Sequence, residues 1–368
     1  MKLADLPTPC LVLDRAILQR NLDRMAHAVA RHGVALRPHM KTAKSIDVAK
    51  LATANQFGGI TVSTLAEAEY FLGHGITDIL YAVGITPQKL EAVVQLNASG
   101  GAIMVITDDA EMARAIAAEP RPPRALVEID CGEHRGGLAP DDPAVLELAA
   151  RLGRCFTGVL THAGHSYSGR SIAEMELIAE AERDRAVGAA TRLRAAGFDC
   201  PVVSMGSSPT VLHARDLAGL TEVRAGVYMF GDLFQYEIAT NGIDDIALTV
   251  LTSVIGRRPA EHKLLVDAGG LALSKDHSTE SAPHDWGFGL VLDARGQCGH
   301  GRSLLSRAYQ EHGVVDIDPT VPWPDLPVGA RLRIAPNHAC MTAAAHDRYF
   351  VVDGGDDVVA IWPRVNGW

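Results

Sequence analysis

The sequence predicts an α/β protein: a (β/α)8 barrel followed by a β-rich domain. Three observations carry that expectation. From about residue 34 to 230, short apolar β-type runs alternate with longer helical stretches in eight units. Repeated strand–helix alternation gives a parallel sheet, and eight units favour a closed barrel over an open doubly wound sheet. After about residue 245, β-type runs follow one another with Gly/Pro-rich turns and no long helical period between them. The 368 residues accommodate both parts, since such a barrel takes about 250. The expected division is 1–244 for the barrel, with its first residues pairing with the β-rich domain, and 245–368 for that domain.

The units follow in chain order. Val34–Leu36 precedes a helix near Ala43; Gly59–Val62 precedes the helix of Leu65 to Leu72; Ile79–Val83 precedes that of Pro87 to Leu96. Ile103–Ile106 leads into a helix at Asp108, whose carboxylate is suited to cap it. Leu126–Asp130 leads to a helix from Pro143, Phe156–Leu160 to a long one from Ile172 to Ala196, and Pro201–Met205 to a short one near Thr210. Glu222–Ala225 closes the series. The β-rich domain begins with the runs Leu248–Ile255 and Lys263–Asp267 and continues with Arg331–Ile334 and Arg348–Val352.

Charge and cysteine usage narrow the setting. A net charge of −10 argues against a nucleic-acid or anionic-membrane partner. No apolar stretch is long enough to span a membrane, and the first residues lack the apolar run of a secretion signal. Six cysteines without a CxxC pair suit a reducing compartment. A cytoplasmic protein is expected.

Barrel enzymes carry reactive groups at the C-terminal ends of their strands. There the chain has Arg37-Pro38-His39-Met40-Lys41, then Cys131 to Gly137 with Arg135, then Thr161-His162-Ala163-Gly164-His165-Ser166-Tyr167, then Gly206-Ser207-Ser208-Pro209-Thr210, then Gly226-Val227-Tyr228. The small-residue loop opening a helix suits a phosphate, through backbone N–H groups and hydroxyls, though an ordinary capped turn reads the same way. Lys41 lies beside His39 among residues of buried type. A partly desolvated lysine forms imines readily, so an aldehyde phosphate would satisfy both ends of the barrel mouth. In the β-rich domain, His338 and Cys340 stand two apart on what reads as an extended segment. They therefore share a side and can share a metal ion, with zinc favoured by thiolate and imidazole. A buried cysteine beside a hydrogen-bonded histidine is the plainer alternative.

Together, Thr8-Pro9-Cys10-Leu11-Val12-Leu13-Asp14, Leu36 to Thr42, His162 to Tyr167 and Pro336-Asn337-His338-Ala339-Cys340 resemble the D-serine dehydratase / D-threonine aldolase family over essentially the whole chain. The resemblance implies the alanine-racemase-like fold, fold type III among pyridoxal-phosphate enzymes. It implies Lys41 as the lysine bonded to pyridoxal 5'-phosphate and Ser207, Ser208, Thr210, Gly226 and Tyr228 as the phosphate-binding stretches. His165 and Tyr167 would face the cofactor ring, Arg135 would lie near its phenolic oxygen, and His338 with Cys340 would form the metal pair. His39 would buttress the Lys41 imine or serve as a packed core histidine. A homodimer is implied by the fold type. Members resembling the aldolase usually carry His-x-Asp where this chain has His338-Ala339-Cys340, which points to the dehydratase branch.

The expected reaction takes a small D-3-hydroxy amino acid (D-serine, D-threonine or D-threo-3-hydroxyaspartate) to a 2-oxo acid and ammonia. Lys41 would remove the α-proton, and a divalent metal, zinc or manganese, would help the β-hydroxyl leave. Retro-aldol cleavage to glycine and an aldehyde is the first rival. A non-catalytic cofactor carrier is a remote one, since such carriers lack the second domain. Loops between about 274 and 312, with His277, His284, His300, Arg302, Arg307 and His312, are expected to meet the substrate side chain.

Overall fold

After an N-terminal strand β1 (Cys10–Asp14) and helix α1 (Arg15–Ala30), eight short parallel strands form one sheet: β2 (Ala35–Pro38), β3 (Ile60–Val62), β4 (Asp78–Gly84), β5 (Ala102–Thr107), β6 (Ala125–Glu128), β7 (Phe156–Leu160), β8 (Val202–Met205) and β9 (Glu222–Ala225). The computed structural model describes all residues from 1 to 368. Between these strands run α2 (Ile46–Ala52), α3 (Leu65–Gly73), α4 (Pro87–Ala98), α5 (Ala110–Ala118), α6 (Pro143–Leu152), α7 (Ile172–Ala195) and α8 (Ser208–His213). The strand order β2-β9-β8-β7-β6-β5-β4-β3 nearly closes on itself. The ends meet where His39 bridges Thr61 and Met40 N–H donates to Thr61 O at 2.8 Å. The predicted barrel is therefore present, strand for strand. Its strands read as unbroken apolar runs, as in Ala102–Thr107, because a parallel sheet covered by helices is buried on both faces.

The helices start where short polar side chains cap them. Thr64 caps α3 by accepting from Glu67 N–H at 3.1 Å, while Glu67 accepts from Ser63 N–H, one residue before the cap, at 3.1 Å. The cap of α5 is Asp109, which accepts from Met112 N–H, and not Asp108 as expected. Asp108 instead accepts from Gly137 N–H at 2.7 Å and ties the end of β5 to the loop after β6.

An ionic layer crosses the barrel interior. Buried Arg37 on β2 donates to Glu222 on β9 at 2.9 Å and to Asp78 on β4 at 3.0 Å. The other oxygen of Glu222 accepts from Ser204 Oγ at 2.8 Å. Arg224, also buried, donates to Ser204 Oγ at 2.6 Å and to the Thr161 carbonyl. Residues 37, 222 and 224 point inward together because side chains alternate along a strand and Arg37 pairs with Arg224 in register. One carboxylate thus lies among two buried guanidiniums.

The remaining strands are β10 (Leu248–Arg258), β11 (Lys263–Val266), β12 (Leu290–Leu292), β13 (Leu304–Ala308), β14 (Gly313–Asp316), β15 (Arg331–Ala335), β16 (Arg348–Val352) and β17 (Ala360–Pro363), with short helices α9 (Leu233–Glu237), α10 (Gly270–Leu273) and α11 (Ala339–Ala343). They form a sheet of order β11-β14-β13-β12-β15-β10-β1-β16-β17. A further β10–β11 pairing closes six of these strands into an antiparallel ring. The long strand β10 serves both neighbours by bending at a register shift between Val254 and Gly256. The N-terminal β1 pairs with β10 and β16. By the density of internal contacts the chain divides into Met1–Asp23 with Val227–Arg364, and Arg24–Gly226 with Val365–Trp368. Residues 227–244, read with the barrel from sequence, sort with the β-rich unit.

Replacing Glu222 by Ala leaves two buried guanidiniums without their shared carboxylate. A loss of about 3–5 kcal/mol in unfolding free energy is expected, measured by urea denaturation.

Candidate active site

Because β2, β9, β8 and β7 are neighbours, the loops that follow them stand side by side at one end of the barrel. The first is held by its backbone. His39 N–H donates to Ala225 O at 2.7 Å and Lys44 N–H to Met40 O at 2.7 Å. The Lys44 ammonium meets buried Glu67 at 3.2 Å, and Val365 N–H donates to Lys44 O at 2.8 Å. Lys41 lies between buried Met40 and buried Thr42, yet its side chain is exposed. The loop buries its neighbours and turns this one side chain out. A Cβ on Gly226 would stand 2.8 Å from His39 O, so only glycine lets the β9 end approach this loop so closely.

Two imidazoles accompany Lys41. His39 Nδ1 accepts from the Lys41 N–H at 3.4 Å. Burial, then the charges of Lys41 and Arg224, hold it neutral well below the usual histidine range. His162 Nδ1 lies 2.9 Å from Gly206 O. A carbonyl only accepts, so Nδ1 carries the proton and Nε2 keeps the lone pair. Burial, followed by the Lys41 charge, pushes His162 down to about 3.

The loop after β8 turns on Gly206, at φ +143°, where a Cβ would stand 2.2 Å from Arg224 O. Ser207 Oγ caps α8 by accepting from Thr210 N–H at 3.3 Å, and Thr210 Oγ1 accepts from Ser207 N–H at 3.1 Å. Thr210 gives its own proton to Glu182 at 2.8 Å. Through these two bonds Thr210 shapes the loop that Ser207 opens. Ser207 Oγ also meets Ser166 Oγ at 2.9 Å, and Ser208 is buried at the first helical position. Glu182, on α7, is a residue that sequence reasoning passed over. Burial raises its pKa against the opposing pull of its hydrogen bonds.

The other barrel candidates sit farther along the same end. His165 Nδ1 is 3.5 Å from Glu133. Tyr167 lies in the same helical turn, half-buried, with its carbonyl accepting from Arg170. Exposed Arg135 stands 3.7 Å from Glu128, a carboxyl that burial raises and Arg135 pulls back. Tyr228 falls in the chain segment of the β-rich unit and is buried, which raises its phenol.

In the β-rich unit, His338 and Cys340 do not lie on an extended segment. His338 is the N-cap of α11 and Cys340 is in its first turn. The two side chains nevertheless hydrogen-bond to one another. His338 Nδ1 lies 3.1 Å from Asp276. Burial opposes the charge on His338, yet Asp276, Cys340 and Asp232 together raise it to about 11. Buried Asp232 caps α9 through Gln235 N–H at 2.8 Å and accepts from Ala339 N–H at 3.0 Å. Asn337 donates to Asp276 O at 3.2 Å and Gly287 O at 2.6 Å. At the far end of α11, Arg364 donates to the carbonyls of Ala343 and His346. No group of three or more His, Cys, Asp or Glu is arranged to hold a metal.

Of the loop residues expected near a substrate side chain, several are engaged locally. His277 meets Asp285 at 2.7 Å, His284 meets Glu237 at 3.2 Å, and Arg302 stacks over Trp286 at 4.6 Å.

Residues 13–233 match the alanine racemase N-terminal domain family, and residues 247–352 match the serine dehydratase domain family. D-threo-3-hydroxyaspartate dehydratase of Delftia sp. (strain HT23) is 43% identical over 100% of this chain and 99% of its own. D-serine dehydratase of Dictyostelium discoideum is 30% identical, covering 99% and 98%. D-threonine aldolase of Arthrobacter sp. is 31% identical, covering 96% and 91%. The solved structure of the Delftia enzyme matches with a TM-score of 0.96 at 42% identity, covering all of both chains. A cysteine-to-alanine variant of that enzyme has been solved in a metal-free form.

An imidazole held neutral in the fold lowers stability where the unfolded chain takes up protons. His162 therefore contributes no penalty above the unfolded value near 6.5, and a growing one as pH falls from there toward about 3. In His162→Gln the amide still donates to Gly206 O. Between pH 6.5 and 5, the wild type should lose more stability than this variant in paired urea unfolding curves.

Proposed function

We propose that this chain, which belongs to the D-serine dehydratase / D-threonine aldolase family on an alanine-racemase-like fold, is a pyridoxal-phosphate lyase that dehydrates a D-3-hydroxy amino acid. The donor set of the barrel unit fits that cofactor. It offers an exposed primary amine, Lys41, flanked by two uncharged imidazoles, and two strands away a tight loop of buried hydroxyls and backbone N–H groups. When bound, pyridoxal phosphate supplies an aldehyde for the amine and a ring that stabilises charge left at a substrate Cα.

Lys41 is the residue assigned to hold the cofactor and to take the α-proton on Nζ. His39 supports the backbone that presents it, and His162 Nε2 offers an uncharged acceptor nearby. Ser207 and Ser208 with Gly226 and Tyr228 are assigned to the phosphate, Thr210 to the shape of that loop. His165, Tyr167 and Arg135 are assigned to the ring.

The His338–Cys340 pair fits a divalent metal. Thiol and imidazole already meet, and Asp276 and Asp232 make their surroundings anionic. With Nδ1 engaged by Asp276, Nε2 is the nitrogen left for the ion, and a carboxylate behind a ligand histidine is the usual support. Sulfur and nitrogen donors favour zinc. A divalent ion there supplies Lewis acidity toward a hydroxyl oxygen.

The observation that carries dehydration over retro-aldol cleavage is the His338-x-Cys340 pair in a chain 43% identical, end to end, to D-threo-3-hydroxyaspartate dehydratase. That relative also makes D-threo-3-hydroxyaspartate the first substrate to test. Free cysteines at all six positions support a cytoplasmic setting. Exposed Leu271, Tyr309 and Met341 around α10 and α11 support a homodimer, whose second copy would cover them. No helix is long and apolar enough to cross a membrane.

With D-threo-3-hydroxyaspartate the expected products are oxaloacetate and ammonia; glycine and glyoxylate would overturn the assignment. Chelation should abolish turnover while the cofactor's absorbance stays, and undiminished activity after verified metal removal would refute the metal's role. Cys340→Ala should purify with little metal, measured by elemental analysis.

A further inference from the structure

Glu182 has no task in the chemistry above, yet it is fully buried within the barrel unit and gathers four donors. They are Thr161 Oγ1 at 3.1 Å, Ala163 N–H at 3.0 Å, Gly206 N–H at 3.0 Å and Thr210 Oγ1 at 2.8 Å. Two come from the loop after β7, one from the loop after β8 and one from the first turn of α8, which that loop opens. The first loop carries the residues assigned to the cofactor ring, the second those assigned to its phosphate. A buried donor without an acceptor is costly, so these loops cannot part without stranding four of them.

The carboxylate also sets the direction of the hydroxyls. Because Glu182 takes the Thr210 proton, the Thr210 oxygen faces Ser207 N–H as an acceptor. Ser207 Oγ then reaches back to Ser166 on the other loop, at 2.9 Å. Gly206, whose missing Cβ lets it pack against Arg224 O, brings the turn close against β9. Burial raises the Glu182 pKa, while the Thr210 hydrogen bond and the nearby Arg224 charge pull back toward the anion that this arrangement needs.

We propose that Glu182 is a positioning residue that fixes the spacing of the β7 and β8 loops and so shapes the seat of the cofactor phosphate. This rests on the reading that the chain binds pyridoxal phosphate. It predicts a defect that depends on the phosphate group, which general loosening of the barrel would not produce.

The test strips the holoenzyme of cofactor and titrates it with pyridoxal phosphate and, separately, with pyridoxal, following absorbance and protein fluorescence. Glu182→Gln keeps the shape but presents an N–H toward Thr210. It should weaken pyridoxal phosphate about ten-fold or more and change pyridoxal by less than about two-fold. Unchanged affinity for pyridoxal phosphate, or equal losses for both compounds, would overturn the inference. Should Glu182→Gln not fold, Glu182→Asp, with its shorter reach, is read by the same two criteria. A wild type that takes up neither compound would overturn the functional reading and this inference with it; a wild type that binds both, with no phosphate-dependent loss in the variant, overturns this inference alone.

Discussion

Two buried guanidiniums inside a barrel are tolerable only with carboxylate charge beside them, and Glu222 supplies it between Arg37 and Arg224. From that point the layer reaches Asp78 on β4, Ser204 on β8 and the Thr161 carbonyl at the end of β7. Five strands are thereby locked in one register. Register decides which residues leave the sheet at its C-terminal end, because a slip of one residue turns every side chain to the opposite face. The positions of Lys41, His162, Gly206 and Gly226 are consequences of that lock.

The β-rich unit solves a comparable problem with different means. A five-residue helix is not stable alone, and α11 is held at both ends: Asp232 takes its first N–H and Arg364 bonds its last carbonyl. His338 and Cys340 meet at the end of this helix that Asp232 holds. Asp276 then fixes the ring of His338, and Asn337 fixes the backbone of Asp276.

Much of this was legible in the sequence. All eight barrel strands stood out, since strands buried on both faces read as apolar runs between helical periods. The strands β12, β13, β14 and β17 did not, because they are short and lie among Gly- and Pro-rich turns; β12, though fully buried, is three residues long. Helix α1 was missed, having no apolar strand before it to mark a unit. Asp109 and Asp108 are adjacent, and only geometry tells which one caps. Lys41, His338 and Cys340 stood out as candidates through motifs, but the exposure of Lys41 and the helical setting of Cys340 depend on contacts that no local pattern encodes. Glu182 and Asp232 left no signal at all: a lone acid in a polar helix or turn reads as a surface charge until its buried partners are seen.

The central claim is that Lys41 is the amine to which the cofactor is bound. Borohydride treatment of the yellow holoenzyme, followed by digestion and peptide mass mapping, tests it most directly. A stable pyridoxyl-phosphate adduct on the peptide containing Lys41 is the predicted result. An adduct on Lys44, Lys89, Lys275 or any other lysine, with Lys41 unmodified, would contradict it.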